Sequence, residues 1–150
     1  MKRQKRLVFD ADRCMGCCAC EIACKMEYRL DRGLRLIVME QREVRKGTQG
    51  KLTFRLNMCR QCPDAPCMDV CHKKAISKRD DGIVVVDRDL CTGCRLCLAA
   101  CRFHIPVFEE LGDGKAVMRK CQMCHERLDA GLMPACAAAC PAEAIRVTER

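Results

Sequence analysis

The sequence predicts an α+β fold: two similar halves, each held by bound metal rather than by a large apolar core, with a β-hairpin inserted. Three observations carry this expectation. Sixteen of the seventeen cysteines in the 150-residue chain fall into four sets of four. The stretch Asp10–Cys24 aligns without gaps on Asp87–Cys101, both reading D-x-D-x-C-x-G-C-x-x-C-x-x-A-C, and a repeat of this kind sets an architecture. Aromatic side chains are scarce, with one Tyr, four Phe and no Trp, so the residues that normally supply core area are missing and another staple is needed.

Each element follows from local pattern. Leu7–Asp10 and Ile83–Asp87 are apolar or β-branched runs of strand length, leading into the first and third cysteine sets. Arg35–Val44 and Lys51–Leu56 flank the turn sequence Lys46-Gly-Thr-Gln-Gly50, which predicts the hairpin. Asp80-Asp-Gly82 predicts another turn. Each C-x3-C tail, such as Leu98–Cys101, is expected to begin a short helix, and Thr148–Arg150 is expected to be free. Asp10, Asp12, Asp87 and Asp89 recur in the repeat as strand-end caps and turns rather than as catalytic carboxylates.

The cysteine spacing points to the chemistry. Cys14, Cys17, Cys20 and Cys24 form a C-x2-C-x2-C-x3-C run, as do Cys91, Cys94, Cys97 and Cys101. Cys59, Cys62, Cys67 and Cys71 widen the middle gap to four residues, and Cys121, Cys124, Cys136 and Cys140 widen it to eleven. Such runs ligate [4Fe–4S] clusters, so the chain is expected to carry four of them and to move electrons, with no substrate pocket or nucleophile of its own. The loop curls round one cube and offers three thiolates; in two-cluster ferredoxins the fourth cysteine ligates the other cluster. Gly16 and Gly93, each just before a ligand, permit close approach of the backbone. Metal loading and folding are expected to be one event.

Composition excludes several other classes. A cysteine-rich secreted disulfide scaffold fits poorly, because the cysteines sit in tight C-x2-C turns. Lys2–Arg6 is basic, but Leu7–Phe9 is too short for a signal-peptide core, which predicts a cytoplasmic chain. No apolar run reaches the roughly 20 residues of a membrane span. The formal charge of +8 suggests nucleic acid. Four oxidised cubes with their thiolates would contribute about −8 and bring the loaded chain near neutrality. Structural zinc is the metal rival, and only the fourth set has its knuckle spacing, which leaves a zinc-bound interaction module as the reading of another class. Cys18 falls opposite Arg95 in the repeat, a non-ligand slot, and is either spare or an alternative ligand or redox thiol. His72, His104 and His125 are expected to pack or tune, and the nine methionines to fill gaps beside the cubes.

Three longer stretches carry a family resemblance: Cys59-Arg-Gln-Cys-Pro-Asp-Ala-Pro-Cys67, Asp81-Gly-Ile-Val-Val-Val-Asp87, and Lys120-Cys-Gln-Met-Cys-His-Glu-Arg-Leu-Asp-Ala-Gly131 followed by Pro134-Ala-Cys136. With the full set of spacings, from about Val8 to Val147, the chain resembles the four-cluster iron–sulfur subunits of dimethyl sulfoxide reductase and formate dehydrogenase complexes. It also resembles their smaller relatives associated with hydrogenases and tungsten aldehyde oxidoreductases. The resemblance implies two bacterial dicluster-ferredoxin-like modules within one unit, residues 1–150: residues 1–34 with 112–150, and residues 51–111. It also implies a pairing. One cube takes Cys14, Cys17, Cys20 and Cys140, and its module partner takes Cys121, Cys124, Cys136 and Cys24. In the other module one cube takes Cys59, Cys62, Cys67 and Cys101, and the other takes Cys91, Cys94, Cys97 and Cys71. Spacing alone leaves the exchange open. The implied partners are a catalytic molybdenum or tungsten bis-pterin subunit at the first-set cube, and a flavin subunit, soluble carrier or another copy of the complex at the far end. A free-standing polyferredoxin shuttle is the other electron-transfer reading. The family often places Pro after each fourth cysteine; here only Cys140 is so followed, by Pro141, while Lys25, His72 and Arg102 follow the others.

Overall fold

The computed structural model describes residues 4–149, without the Lys46 side chain. Lys2, Arg3 and Arg150 lie outside the described residues. Helix and strand are mixed in short pieces, as expected. The strands make two-stranded antiparallel sheets. β1 (Lys5–Phe9) pairs with β8 (Ile145–Glu149), β2 (Val38–Lys46) with β3 (Gln49–Asn57), β4 (Ile76–Lys78) with β5 (Val84–Val86), and β6 (Val107–Glu110) with β7 (Ala116–Arg119). The β2–β3 hairpin turns on Gly47 and Thr48 alone, and Gly47 takes the positive φ of 62° that a tight hairpin turn needs.

Two expectations are corrected. Thr148 is not free: β8 runs to Glu149, with Thr148 opposite Arg6 and Glu149 opposite Lys5. The alternating Ile145-Arg-Val-Thr-Glu149 finds its partner near the opposite end of the chain, which no local signal announces. The helices also start earlier than the C-x3-C tails. They are α1 (Ala19–Glu27), α2 (Pro66–Asp69), α3 (Leu96–Ala100), α4 (His125–Asp129) and α5 (Ala135–Ala138), so α3 begins at Leu96 rather than Leu98. A left-handed residue turns the chain into the helix just before the third cysteine: Cys18 (φ 59°) before α1 and Arg95 (φ 64°) before α3. The same device precedes α2 at Ala65 (φ 31°). Cys18 thus has the structural role that Arg95 plays in the repeat.

The repeat is reproduced in detail. Asp10 Oδ1 accepts from the Asp12 and Arg13 N–H groups at 3.1 and 3.4 Å, and Asp87 Oδ1 accepts from those of Asp89 and Leu90 at 2.9 and 3.3 Å. These are the strand-end turns read from the sequence.

Packing produces two buried clusters. α1 packs on α5 and α2 on α3. One buried cluster joins Leu7, Leu36, Ile37, Leu56, Met58 and Ile145 to Cys20, Cys24, Cys121 and Cys136. The second joins Ala65, Ala75, Ile76, Val84, Val117 and Met118 to Cys91 and Cys97. Met58, Met118 and Met123 fill these interiors, but Met15, Met26 and Met133 are exposed, so the methionines are not all gap-fillers.

Candidate metal centres

The fold gathers the cysteines into four groups. A cavity under β1 and β8 is lined by Cys14, Cys17, Cys20 and Cys140, with Phe9, Met39, Ala144 and Ile145 around them. Another is lined by Cys59, Cys62, Cys67 and Cys101. A third is lined by Cys71, Cys91, Cys94 and Cys97. The remaining four, Cys24, Cys121, Cys124 and Cys136, are all buried. Each group holds three cysteines of one run and one from the tail of another. Antiparallel pairing of β1 with β8 and of β4 with β5, and the packing of α1 on α5 and α2 on α3, carry those tails across.

The donor chemistry fits a [4Fe–4S] cube. The cavity linings are otherwise mainly apolar, and backbone N–H groups are aimed at sulfur. Gly16 N–H reaches Cys14 Sγ at 3.4 Å, Ala144 N–H reaches Cys140 Sγ at 3.3 Å, Met118 N–H reaches Cys91 Sγ at 3.3 Å, and Met123 N–H reaches Cys121 Sγ at 3.5 Å. Such donors favour thiolate over thiol. Among the described residues no group of three or more His, Cys, Asp or Glu side chains is placed to hold a single metal ion.

Protonation reports how closely the sulfurs crowd. Burial, then the neighbouring Cys121, Cys136 and Cys124, pushes the Cys24 thiol far up. Burial pushes Cys20 up to about 11, and burial followed by Cys91, Cys67 and Cys94 pushes Cys97 up to about 11. Burial, then Cys59, pushes Cys121 up to about 12, against an opposing pull from Lys120. Cys136 is raised by burial first, then by Cys121, Cys124 and Cys20. Metal-free, these groups are thiols at neutral pH, and only a cation makes four thiolates tolerable together.

The same influences give an order, because charges weigh on one another over short distances. Cys20 of the first group acts on Cys136 of the buried group, Cys59 of the second-run group acts on Cys121, and Cys67 acts on Cys97. The groups are therefore neighbours in the sequence first run, fourth run, second run, third run. The two outer groups each present one exposed cysteine, Cys17 and Cys94, while the group of Cys24, Cys121, Cys124 and Cys136 presents none.

Several residues have roles that sequence reasoning did not assign. Tyr28 is partly buried against the first core; its hydroxyl accepts the Cys124 N–H at 3.0 Å and, with the Ala135 backbone, pulls the Cys124 thiol down against burial. Gln61, 2% exposed, donates from Nε2 to Cys121 O at 3.0 Å and accepts the Val84 N–H at Oε1 at 2.8 Å. Lys120 is equally buried. Residue type alone signals none of this. Gly16 and Gly93 do allow close approach, but to protein: a side chain at Gly16 would lie 2.5 Å from Phe54 Cε1, and one at Gly93 would run into Ala116 O. Cys18 Sγ lines the first cavity and reaches Gly16 O at 3.6 Å. Among the cations after the fourth cysteines, Lys25 donates to Leu34 O at 3.3 Å, whereas His72 and Arg102 line cavities.

Comparison with known proteins points to the same cofactor type. A family model described as a 4Fe–4S dicluster domain matches residues 50–150. The electron transport protein HydN of Escherichia coli is 36% identical, over 96% of this chain and 87% of its own. The thiosulfate reductase electron transfer subunit PhsB of Salmonella typhi is 34% identical, over 97% of this chain and 76% of its own. A tetrathionate reductase subunit of Salmonella typhimurium is 35% identical over 89% of this chain, which spans only 53% of that protein's length. The chain likewise spans 63% of the length of a Halobacterium salinarum relative 36% identical to it.

Proposed function

Because the chain belongs to the 4Fe–4S dicluster family of ferredoxin-type electron-transfer proteins, we propose that it is a four-cluster wire between a catalytic subunit and a second redox partner. Its own part is non-catalytic: it holds [4Fe–4S] clusters and passes electrons. The observation that carries the proposal is the grouping of all sixteen motif cysteines into four sets of four, neighbours in a single order.

In this reading the ligands are Cys14, Cys17, Cys20 and Cys140; Cys24, Cys121, Cys124 and Cys136; Cys59, Cys62, Cys67 and Cys101; and Cys71, Cys91, Cys94 and Cys97. The modules are residues 1–34 with 112–150, and residues 51–111. The first buried cluster draws mainly on the first span and the second mainly on the second, although Leu56, Met58 and Ile83 enter the first cluster, Val117 and Met118 enter the second, β6–β7 joins the spans and β3 begins just before the second. The clusters supply one-electron carriers; the chain positions them, aims N–H groups at the ligand sulfurs and buries all four ligands of the group of Cys24, Cys121, Cys124 and Cys136.

The ends are where partners would dock. Cys17 is near exposed Met15, Ile22 and Met26 in the chain, and Cys94 is near exposed Leu90 and Leu96, the latter lining the same cavity. Apolar side chains beside an electron exit favour close, dry contact. The catalytic partner proposed at the Cys17 end is a molybdenum or tungsten bis-pterin oxidoreductase, of aldehyde oxidoreductase or formate dehydrogenase type. The relatives named for thiosulfate and tetrathionate reductases extend the choice to sulfur oxyanion reductases. The Cys94 end would meet a flavin subunit, a soluble carrier or another copy of the complex. A cytoplasmic setting belongs to the same proposal and cell fractionation tests it; among the described residues no helix is long and apolar enough to cross a membrane. A free shuttle is the second reading, favoured by HydN, whose name carries only electron transport and most of whose length this chain matches.

Two experiments test the proposal. Anaerobic preparations are expected to hold about 16 Fe and about 16 sulfides per chain; saturation at three clusters, or zinc in their place, refutes it. Reversing the charge of Arg95 and Arg102 is expected to slow electron transfer to the terminal acceptor several-fold without releasing the catalytic subunit in a pull-down. Arg95 stacks 4.9 Å over Phe108 and Arg102 5.9 Å over Phe103, both on the far module. Release of the catalytic subunit, or no change in either readout, would count against the two-ended wire. Absence of any co-purifying subunit would select the shuttle.

A further inference from the structure

The three cysteine groups that line cavities differ in the charge around them, and Lys120, which also pulls on Cys121 of the buried fourth group, ranks higher among the influences on Cys67. Among the described residues the first cavity is lined by no lysine, arginine or histidine. The third has His72, Lys73 and Arg95, all exposed. The cavity of Cys59, Cys62, Cys67 and Cys101 is lined by Arg60, Arg102 and Lys120. The two arginines are exposed, and water and salt screen them. Lys120 is 2% exposed and is not screened.

Its ammonium is clamped. Nζ donates to Val84 O and, at 3.2 Å, to Cys121 O. Gln61 holds those same two segments from the other side, through the Val84 N–H and Cys121 O. Among the described residues no carboxylate pairs with Lys120. A buried ammonium with only carbonyl dipoles for company is costly unless a net negative charge answers it. Thiolate-bound [4Fe–4S] clusters supply that charge, about 2− oxidised and about 3− reduced. A fixed positive charge at such a cavity therefore favours the reduced form.

Resting on the four-cluster reading above, we propose that Lys120 sets the resting place of the electron. Its buried ammonium makes the cluster held by Cys59, Cys62, Cys67 and Cys101 the first of the four to be reduced. One electron enters, no bond forms or breaks, and Lys120 keeps its proton. An inner cluster of highest potential stores one electron between the two exposed ends. A partner that delivers electrons in pairs can then release one onward while the other is held.

The test is an anaerobic dithionite titration of the purified holoprotein followed by EPR, with iron counted in every sample. Cys62→Ser marks the cluster in question by altering its signal, and Cys17→Ser marks the first-group cluster. The first signal to appear in the wild type is expected to be the one that Cys62→Ser alters. In Lys120→Met its reduced-to-oxidised ratio at fixed potential is expected to fall at least tenfold, which is 59 mV for one electron, while the Cys17-marked cluster keeps its midpoint. Lys120→Arg is expected to restore early reduction. If Lys120→Met does not load iron, Lys120→Gln takes its place; loss of iron from both, with Lys120→Arg intact, overturns the proposal in favour of a structural peg. Full iron with an unchanged first midpoint, a first signal that Cys62→Ser leaves alone, or an arginine variant behaving like methionine also overturns it. A wild-type count well below about 16 Fe would instead defeat the four-cluster reading itself.

Discussion

Replacing Cys140 with alanine is expected to damage the cluster of Cys14, Cys17 and Cys20, and to spare that of Cys121, Cys124 and Cys136, the run to which Cys140 belongs in sequence. Cys140 lines the first cavity, and the Ala144 N–H meets its sulfur at 3.3 Å. The charge neighbours of Cys136, only four residues earlier, are Cys121, Cys124 and Cys20, not Cys140. Cys24 makes the reverse crossing, with Cys121, Cys136 and Cys124 its main charged neighbours. Cys140→Ala should therefore lose up to four of about 16 irons per chain, or one iron if a three-iron cube survives. Cys24→Ala should strike the buried group and, by opening the first core, cost more stability. Iron analysis with EPR of each variant shows which signal is missing. Loss confined to the fourth-run cluster in Cys140→Ala would refute the exchange and return the cysteines to four local sites.

The crossing also shows what can be read from residues and what cannot. The four runs are legible because thiolates at loop spacing have few other uses, and the repeat is legible because Asp10 and Asp87 do the same backbone work. The β2–β3 hairpin is legible because a glycine-containing tight turn sits between alternating strands. Helix starts are not, because Cys18, Ala65 and Arg95 adopt left-handed backbone that their side chains do not advertise; tertiary demand overrides propensity there. The pairing of β1 with β8 is hidden for a different reason. It joins the two ends of the described chain, and its payoff is the first cavity, which neither strand predicts alone. Lys120 is one of 28 cations in the sequence, and nothing in its type separates it from the solvated ones. Only its clamp between Val84 and Cys121 does so.

Removing the iron is expected to unfold the whole chain. Four of the five helices among the described residues have four or five residues, well below the roughly 12–15 that an isolated helix needs in water. The sheets are two-stranded, and such hairpins are marginal alone. The cores meant to hold them are built partly from the candidate ligands: Cys20, Cys24, Cys121 and Cys136 in one, Cys91 and Cys97 in the other. Without metal these become thiols facing voids, and each void forfeits packing at its lining. Protons act in the same direction. Cys20 and Cys97 titrate near 11 and Cys121 near 12 when metal-free, against 9.0 for a free thiol, so at pH 7 folded and unfolded metal-free chains are both protonated and gain nothing from each other there. Loading must expel about one proton per ligand, so acidification favours the empty chain. Anaerobic chelation should therefore abolish far-UV circular dichroism structure and amide exchange protection together, and the midpoint of cluster loss should move to milder conditions as pH falls. A metal-free chain that keeps a cooperative thermal transition would show that the apolar residues suffice, and that Leu36, Ile37, Leu56 and Met58 form a core independent of the clusters.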